Sequence, residues 1–334
     1  MHAVAPIRWG MISTAAIGDE LVPAFRSSAG NELIAVASRD VARARAYAEE
    51  HGIPEARDSY RAILEDERID AVYIPLPNAL HGEWTRAALQ SGKHVLCEKP
   101  LTPTADEAEQ LFQLAAANRL VLAEAFMYRH HPKTQRVLEL LSGGAIGELC
   151  TIRCSFNFRV ADPQRDIRYS VELAGGALSD VGCYCVSYST LAADSEPEEF
   201  FGFARIAPSG VDERFYGTLA FRSGTVAQFD CALDVPLNIG VNLVGTDGEI
   251  YVPMPWYPHR EPLSVYVRRG NDVDEVPAPG ENAYLLELDD IAAAIRGERT
   301  PRVTPAETVR NLRAIEALRA GARLASTRQE ESFA

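Results

Sequence analysis

The hydrophobic pattern of the chain changes character near residue 125. Before that point, short apolar runs alternate with amphipathic stretches. The runs at 7–13, 33–37, 71–75, 94–97 and 120–123 are continuous and bounded by turn residues, the pattern of strands buried on both faces. The stretches at 17–28, 41–51, 80–91 and 105–118 carry apolar residues at helical spacing. Strands and helices in strict alternation predict right-handed βαβ units and a doubly wound parallel sheet. Such sheets bind ligands outside the carboxyl ends of their strands.

Beyond residue 125 the runs are longer and richer in β-branched and aromatic residues, at 151–159, 198–206, 214–221, 226–233 and 239–244. Turn signals at Arg222-Ser223-Gly224 and Thr246-Asp247-Gly248 separate them, which predicts an open, mainly antiparallel sheet. Helical patterns at 283–296 and 305–325 close the chain, the second with Thr304 as N-cap and Pro305 in its first turn. The fold class expected is α/β, with an N-terminal Rossmann domain over 1–126 and a C-terminal α+β domain over 127–334. The terminal helices are free to pack back on the first domain. The chain's 334 residues exceed the roughly 250–300 at which a single core stops growing.

Charge narrows the partners. Lys and Arg against Asp and Glu give 33 − 47 = −14, so no nucleic acid and no anionic membrane surface is expected. No apolar run reaches the length of a membrane span, and no signal-peptide pattern opens the chain, so the expected compartment is cytoplasmic. The six cysteines form no CxxC pair and no Cys/His cluster, which predicts buried thiols and no metal.

Candidate chemistry gathers at the predicted strand ends. Gly10-Met11-Ile12-Ser13-Thr14-Ala15-Ala16-Ile17-Gly18 runs from strand through tight turn into helix, where N–H groups can meet a pyrophosphate. A strict glycine fingerprint would place Gly at 13 and 15, and an ordinary tight turn is the alternative. The second strand ends in Ser38-Arg39-Asp40; a hydroxyl followed by a guanidinium suits a 2′-phosphate, and Asp40 is placed to cap the next helix. NADP(H) is therefore expected over NAD(H), which stays open. Pro75-Leu76-Pro77-Asn78 with His81, and Glu98-Lys99-Pro100, follow the next strands at the same edge. Lys99 can donate to a substrate oxygen, though a surface lysine is the commoner case. Further on, Gly175-Gly176-Ala177-Leu178-Ser179-Asp180 leads into a helix with Asp180 and Tyr184 on one face, as acid–base partners or as a cap and a packed ring.

Together these motifs resemble the Gfo/Idh/MocA oxidoreductases, over nearly the whole chain. Tyr184 in place of the commoner histidine resembles the branch of xylose dehydrogenases, dihydrodiol dehydrogenases and sugar 3-ketoreductases. So do Phe126-Met127-Tyr128-Arg129-His130-His131-Pro132 and Asp166-Ile167-Arg168-Tyr169. The resemblance implies an NAD(P)-dependent dehydrogenase or reductase for a sugar or sugar-like alcohol or ketone. Catalytic roles fall to Lys99, Tyr184 and Asp180. Cofactor contacts fall to Gly10, Ser13, Thr14, Ala15, Ala16, Ile17, Ser38, Arg39, Pro75, Leu76, Pro77, Asn78, His81, Glu98 and Lys99. Substrate contacts fall to Phe126, Arg129, His130, Arg168, Tyr169, Asp180 and Tyr184. It also implies a small carbohydrate as substrate and a homodimer or homotetramer built through the C-terminal sheet. Two alternatives remain within the resemblance: an oxidoreductase for aldoses and ketoses that retains its cofactor, and a non-catalytic regulator that binds dinucleotide. A methyltransferase with a Rossmann-like sheet is a third, but it has no use for Lys99 or for 175–184.

Overall fold

The computed structural model of the chain describes residues 5–257 and 261–324. Six parallel strands form the first sheet: β1 (Ile7–Ile12), β2 (Asn31–Ala37), β3 (Glu55–Arg57), β4 (Ala71–Ile74), β5 (His94–Glu98) and β6 (Leu122–Ala125). Their spatial order is β3-β2-β1-β4-β5-β6. The winding reverses between β1 and β4, which opens a crevice at the carboxyl ends of those two strands. Helices α1 (Gly18–Ser27), α2 (Val41–Glu50), α3 (Tyr60–Leu64), α4 (Asn78–Gln90) and α5 (Ala105–Ala117) make the crossovers. They cover both faces, which is why all four residues of β4 are apolar and buried. β3 and α3 were not expected; Glu-Ala-Arg at an edge and a five-residue helix leave too little periodicity to read.

A short 3₁₀ turn (Met127–His130) and α6 (Pro132–Ser142) lead into the second sheet at β7 (Leu149–Arg159). A π-helical turn at Leu178–Gly182 runs on into α7 (Cys183–Ala193). The remaining strands are β8 (Pro197–Ile206), β9 (Asp212–Phe221), β10 (Val226–Ala232), β11 (Asp234–Gly245), β12 (Glu249–Pro253), β13 (Leu263–Arg269) and β14 (Asp272–Ala278). Helices α8 (Ala283–Ile295) and α9 (Pro305–Ala320) and a last short strand, β15 (Ala322–Leu324), follow. The nine strands lie in the order β14-β13-β12-β11-β7-β10-β9-β8-β15. Most neighbours are antiparallel, as expected, but β7 runs parallel to β10 and β8 to β15.

Thr304 caps α9 in a reciprocal box with Glu307, and Asp40 accepts from the N–H groups of Ala42 and Arg43 at the start of α2. Helix α9 ends at Ala320, five residues short of the expected limit, and residue 325 lies outside the described residues. Both terminal helices return to the first sheet's side, α8 against α1 and α9 against α5. Ser28 donates to Asp289 at 2.8 Å, and Arg313 pairs with Glu109. Both contacts are exposed and tie the terminal helices to the first domain; the site lies where the carboxyl end of β5 meets the start of α7.

Candidate active site

Lys99, just past β5, reaches across the junction. Its Nζ donates to the Asp180 backbone oxygen at 2.7 Å and to Asp180 Oδ1 at 3.2 Å, and lies 5.1 Å from the centroid of the Tyr184 ring. A cis peptide joins Lys99 to Pro100. Asp180 Oδ2 accepts from Arg168 Nε at 2.7 Å, so one carboxylate bridges two cations. Tyr184 stands on the first turn of α7 and is buried; its hydroxyl donates to Met127 Sδ at 3.7 Å. Beneath it, Phe126, Phe156 and Trp256 pack at ring-centroid distances of 5.3, 5.3 and 5.7 Å. That aromatic floor fixes the phenol. Trp256, in the segment that follows β12, is buried.

These groups open into a cavity of about 260 Å³ at the strand ends. Ala15, Ala16, Ile17, Pro75, Leu76, Pro77, Asn78, Glu98, Lys99, Arg168, Asp180 and Tyr184 all line it, as the expected strand-end chemistry requires. Met127, Ile167, Leu173, Gly175 and Tyr284 line it too and were not anticipated. Met127 sits inside a quoted motif, but nothing in the sequence ties Tyr284, at the start of α8, to this place. Gly175 is needed because an added Cβ would meet the Arg168 oxygen at 2.4 Å. A second cavity, about 320 Å³, lies behind the 171–175 segment and contains none of Lys99, Asp180 and Tyr184.

Burial and charge set the protonation states. Burial disfavours the Lys99 ammonium, but Asp180 outweighs it and holds Lys99 above its ordinary value. Burial likewise opposes the Asp180 carboxylate, and Lys99 and Arg168 together keep it ionised and low. Burial, with Glu98 nearby, raises Tyr184 well above the usual phenol range, so its proton stays on at neutral pH. Burial also raises Glu98, despite Lys99 and a 2.7 Å hydrogen bond from the Tyr73 hydroxyl.

The β1–α1 turn fits a dinucleotide. The N–H of Ser13 is spent on Ala37, but those of Thr14, Ala15, Ala16 and Ile17 have no acceptor among the described residues. They precede an uncapped helix N-terminus, where an anion is favoured. Ser13 takes φ +119°, a region that favours glycine, at a position where a strict fingerprint has glycine. Ser13→Gly is therefore expected to stabilise the chain by about 1 kcal/mol, read as a higher urea midpoint at unchanged slope. At the end of β2, Ser38 is buried and Arg39 is exposed without an ion pair among the described residues. Arg43 reaches back to the Thr14 oxygen at 3.3 Å.

Several of the residues expected to make contacts do not line the cavity. Gly10 is small for packing, since a Cβ there would meet Ile63 at 2.5 Å. His81 is fully buried, with Nδ1 against the Pro100 oxygen and Nε2 against the Leu76 oxygen; it braces the two strand-end loops from behind. Phe126 lies under Tyr184. Arg129 turns away to Glu307 at 2.7 Å. Tyr169 is buried outside the cavity, near Glu213 and Asp234. His130 is buried among Arg302, Arg129 and Arg299, which with burial push it down to about 3. Apart from Gly10, each is a polar or aromatic residue in a quoted motif that packs into the scaffold, and sequence spacing does not tell which way a side chain turns.

His130 gives a stability prediction. Its folded value lies below the unfolded 6.5, so the unfolded chain takes up the proton first and stability falls as pH drops from about 6.5 towards about 3. His130→Gln should remove that contribution, roughly 2 kcal/mol at pH 5, from the pH dependence of chemical denaturation. Equal acid sensitivity in both proteins would contradict it. Glu124, raised to about 7 mainly by burial, acts in the opposite sense in both.

Among the described residues, no helix is long and apolar enough to cross a membrane, and no cluster of His, Cys, Asp or Glu could hold a metal. All six cysteines are free, and only Cys150 is exposed.

Residues 7–126 match the oxidoreductase family with an NAD-binding Rossmann fold, and residues 134–251 match the GFO/IDH/MocA C-terminal domain. The chain is 40% identical over 313 residues to a D-xylose 1-dehydrogenase (NADP(+)) of Haloferax volcanii, covering 93% of this chain and 95% of that one. It is 33% identical to a dTDP-3,4-didehydro-2,6-dideoxy-alpha-D-glucose 3-reductase of Actinomadura kijaniata, covering 95% and 96%. A crystal structure of a 3-ketoreductase from the same organism, with NADP and TDP-benzene, superposes with a TM-score of 0.91 at 32% identity, covering 96% and 99%. With both halves matched in order, and Lys99, Asp180 and Tyr184 gathered at one strand-end cavity, the chain belongs to the Gfo/Idh/MocA family of NAD(P)-dependent oxidoreductases.

Proposed function

We propose that the protein moves a hydride between NADP(H) and a hydroxyl-bearing carbon of a carbohydrate, at the cavity between Lys99, Asp180 and Tyr184. The observation that carries this is the convergence of an ammonium from β5 and a neutral phenol from α7 on one cavity at the Rossmann strand ends. The bound nicotinamide supplies or accepts the hydride. Tyr184 holds the proton that the reacting oxygen gains or loses, and the aromatic floor beneath it limits its motion. Lys99 polarises that oxygen from the opposite domain; it meets the ring face of Tyr184 and not the hydroxyl, so its influence on the phenol is through the field. Asp180 fixes the ammonium and offers an acceptor for a neighbouring substrate hydroxyl.

NADP(H) is favoured by the end of β2. Asp40, the one acid there, is spent on the α2 N-terminus; Ser38 Oγ accepts from the Asp40 N–H at 3.2 Å and keeps its own proton to donate, and Arg39 is exposed for a 2′-phosphate. The NADP named for the relatives agrees. The test is a panel of sugars and keto-sugars assayed with NADP⁺, NAD⁺, NADPH and NADH. Turnover with NADP(H), at higher kcat/KM than with NAD(H), is expected; silence across the panel would refute the reading.

The exposed row of Phe201, Phe203 and Tyr216 on β8 and β9, with Tyr251 and Tyr266 further along the sheet, supports homo-oligomer formation through the outer sheet face. Phe203→Glu should lower the mass measured by light scattering, whereas an unchanged mass would place the contact elsewhere.

A further inference from the structure

The turn that presents Asp180 is held from outside itself. Lys99 meets Asp180 twice, at the backbone oxygen and at Oδ1. The placing of the ammonium therefore depends on the backbone of Leu178–Gly182 as well as on one side chain. A π-helical turn is rare, and its first N–H groups have no partner within it. No side chain of its own N-cap position supplies one. The Leu178 N–H donates instead to Asp212 Oδ2 at 2.7 Å, from a residue 34 positions away. Asp212 also fills the space beside Gly176, where φ is +112° and an added Cβ would meet its Oδ1 at 2.2 Å. The Gly176 oxygen in turn accepts from the Asp180 N–H at 3.0 Å. Asp212 opens β9, and the bend before it is closed by the Ala207 N–H on the Val211 oxygen at 2.8 Å. The carboxylate thus stands on a fixed strand end. Burial lifts it to about 6, against the Leu178 N–H and Arg319, so it is largely ionised at neutral pH. Arg319 of α9 also donates to Ser179 Oγ at 2.7 Å. Asp212 lines the second cavity, behind 171–175, and not the one that holds Lys99, Asp180 and Tyr184.

We propose that Asp212 is a positioning residue: it caps the π-helical turn from β9 and so sets the place at which Asp180 holds the Lys99 ammonium. The inference rests on the proposed oxidoreductase activity and adds to it a residue outside the catalytic cavity. A charged acceptor fixes its N–H donor more firmly than a neutral one. Without it the Leu178 N–H is left unpaired, and the turn gains by moving to find another partner. Any such movement carries both acceptors of Lys99 with it. Arg319 does not replace this contact, because it holds the Ser179 side chain and not the backbone. A misplacement of about 1 Å at reacting groups costs roughly a hundredfold in rate, so a fraction of that is measurable.

The experiment compares Asp212→Ala and Asp212→Asn with the wild-type protein, each with and without Lys99→Met. Steady-state kinetics use the sugar and nicotinamide pair turned over fastest in the panel, D-xylose and NADP⁺ being the first tried. Hydrogen exchange of the 177–184 peptide is measured beside them. Asp212→Ala is expected to lower kcat by about tenfold to thirtyfold with KM within about threefold, and to speed exchange at 177–184 by about tenfold. The asparagine keeps an acceptor for the Leu178 N–H and is expected to recover kcat to within about threefold of wild type. In the Lys99→Met protein the alanine should cost less than about threefold, because no ammonium is left to place. A loss through general destabilisation would carry over in full to that background, and that result overturns the proposal. So does an unchanged kcat in a folded Asp212→Ala, or an asparagine as slow as the alanine. Should the alanine protein not fold, Asp212→Ser, too short to reach Leu178, takes its place. Silence of the wild-type protein across the panel defeats the parent activity alone. Exchange then decides for Asp212: faster exchange at 177–184 in the alanine protein supports the cap, and unchanged exchange overturns it.

Discussion

Replacing Tyr184 by phenylalanine is expected to lower kcat by roughly a hundredfold to a thousandfold while leaving KM within about threefold. The exchange removes one oxygen and nothing else that holds the fold. The hydroxyl's partner is the Met127 thioether at 3.7 Å, a weak acceptor, so stability should change by less than about 1 kcal/mol. The ring keeps its packing against Phe126, Phe156 and Trp256. What is lost is a proton that burial keeps on the phenol at neutral pH. Steady-state kinetics beside a urea denaturation curve separates the two contributions. A large fall in stability with kcat preserved would make Tyr184 a packing residue.

Lys99→Ala should reduce kcat more, by about a thousandfold, and should also raise KM. It removes the polarising ammonium and leaves Asp180, a buried carboxylate, with Arg168 as its sole remaining cation. Asp180 should then rise from its depressed value, and some stability should be lost, on the order of 1–3 kcal/mol. Lys99→Met fills the same space and separates packing from charge. Dinucleotide affinity should hold in the methionine variant, because the N–H groups at 14–17 do not involve this side chain. Titration of intrinsic protein fluorescence with NADPH checks that. Retention of most of the wild-type kcat in Lys99→Met would remove the lysine from the chemistry.

Sequence made the first sheet legible because helices on both faces force each strand to be short and uniformly apolar, and the interruptions of that pattern mark the crossovers. It left β14 unread for the opposite reason. Asp272–Ala278 is an exposed edge strand with few apolar residues, so it carries almost no alternation. Leu263–Arg269 does alternate, with Val265 and Val267 inward, and was readable in principle. The site was less legible. Lys99, Asp180 and Tyr184 meet at one cavity, but their own positions left a surface lysine, a cap and a packed ring open, and it was the family resemblance that singled them out. The directions of His81, Arg129, His130 and Tyr169 were not legible, since a polar side chain beside a cavity can turn either way. Arg129 found Glu307 on α9, and His81 found two backbone oxygens, partners that sequence spacing does not reveal.

A double-mutant cycle on kcat, using Lys99→Met and Tyr184→Phe, tests directly whether the two domains build one catalytic unit. If the ammonium and the phenol act on the same oxygen, the double variant should be scarcely slower than the worse single variant. Losses that multiply across the cycle would mean that the two groups work independently, and would contradict a shared site.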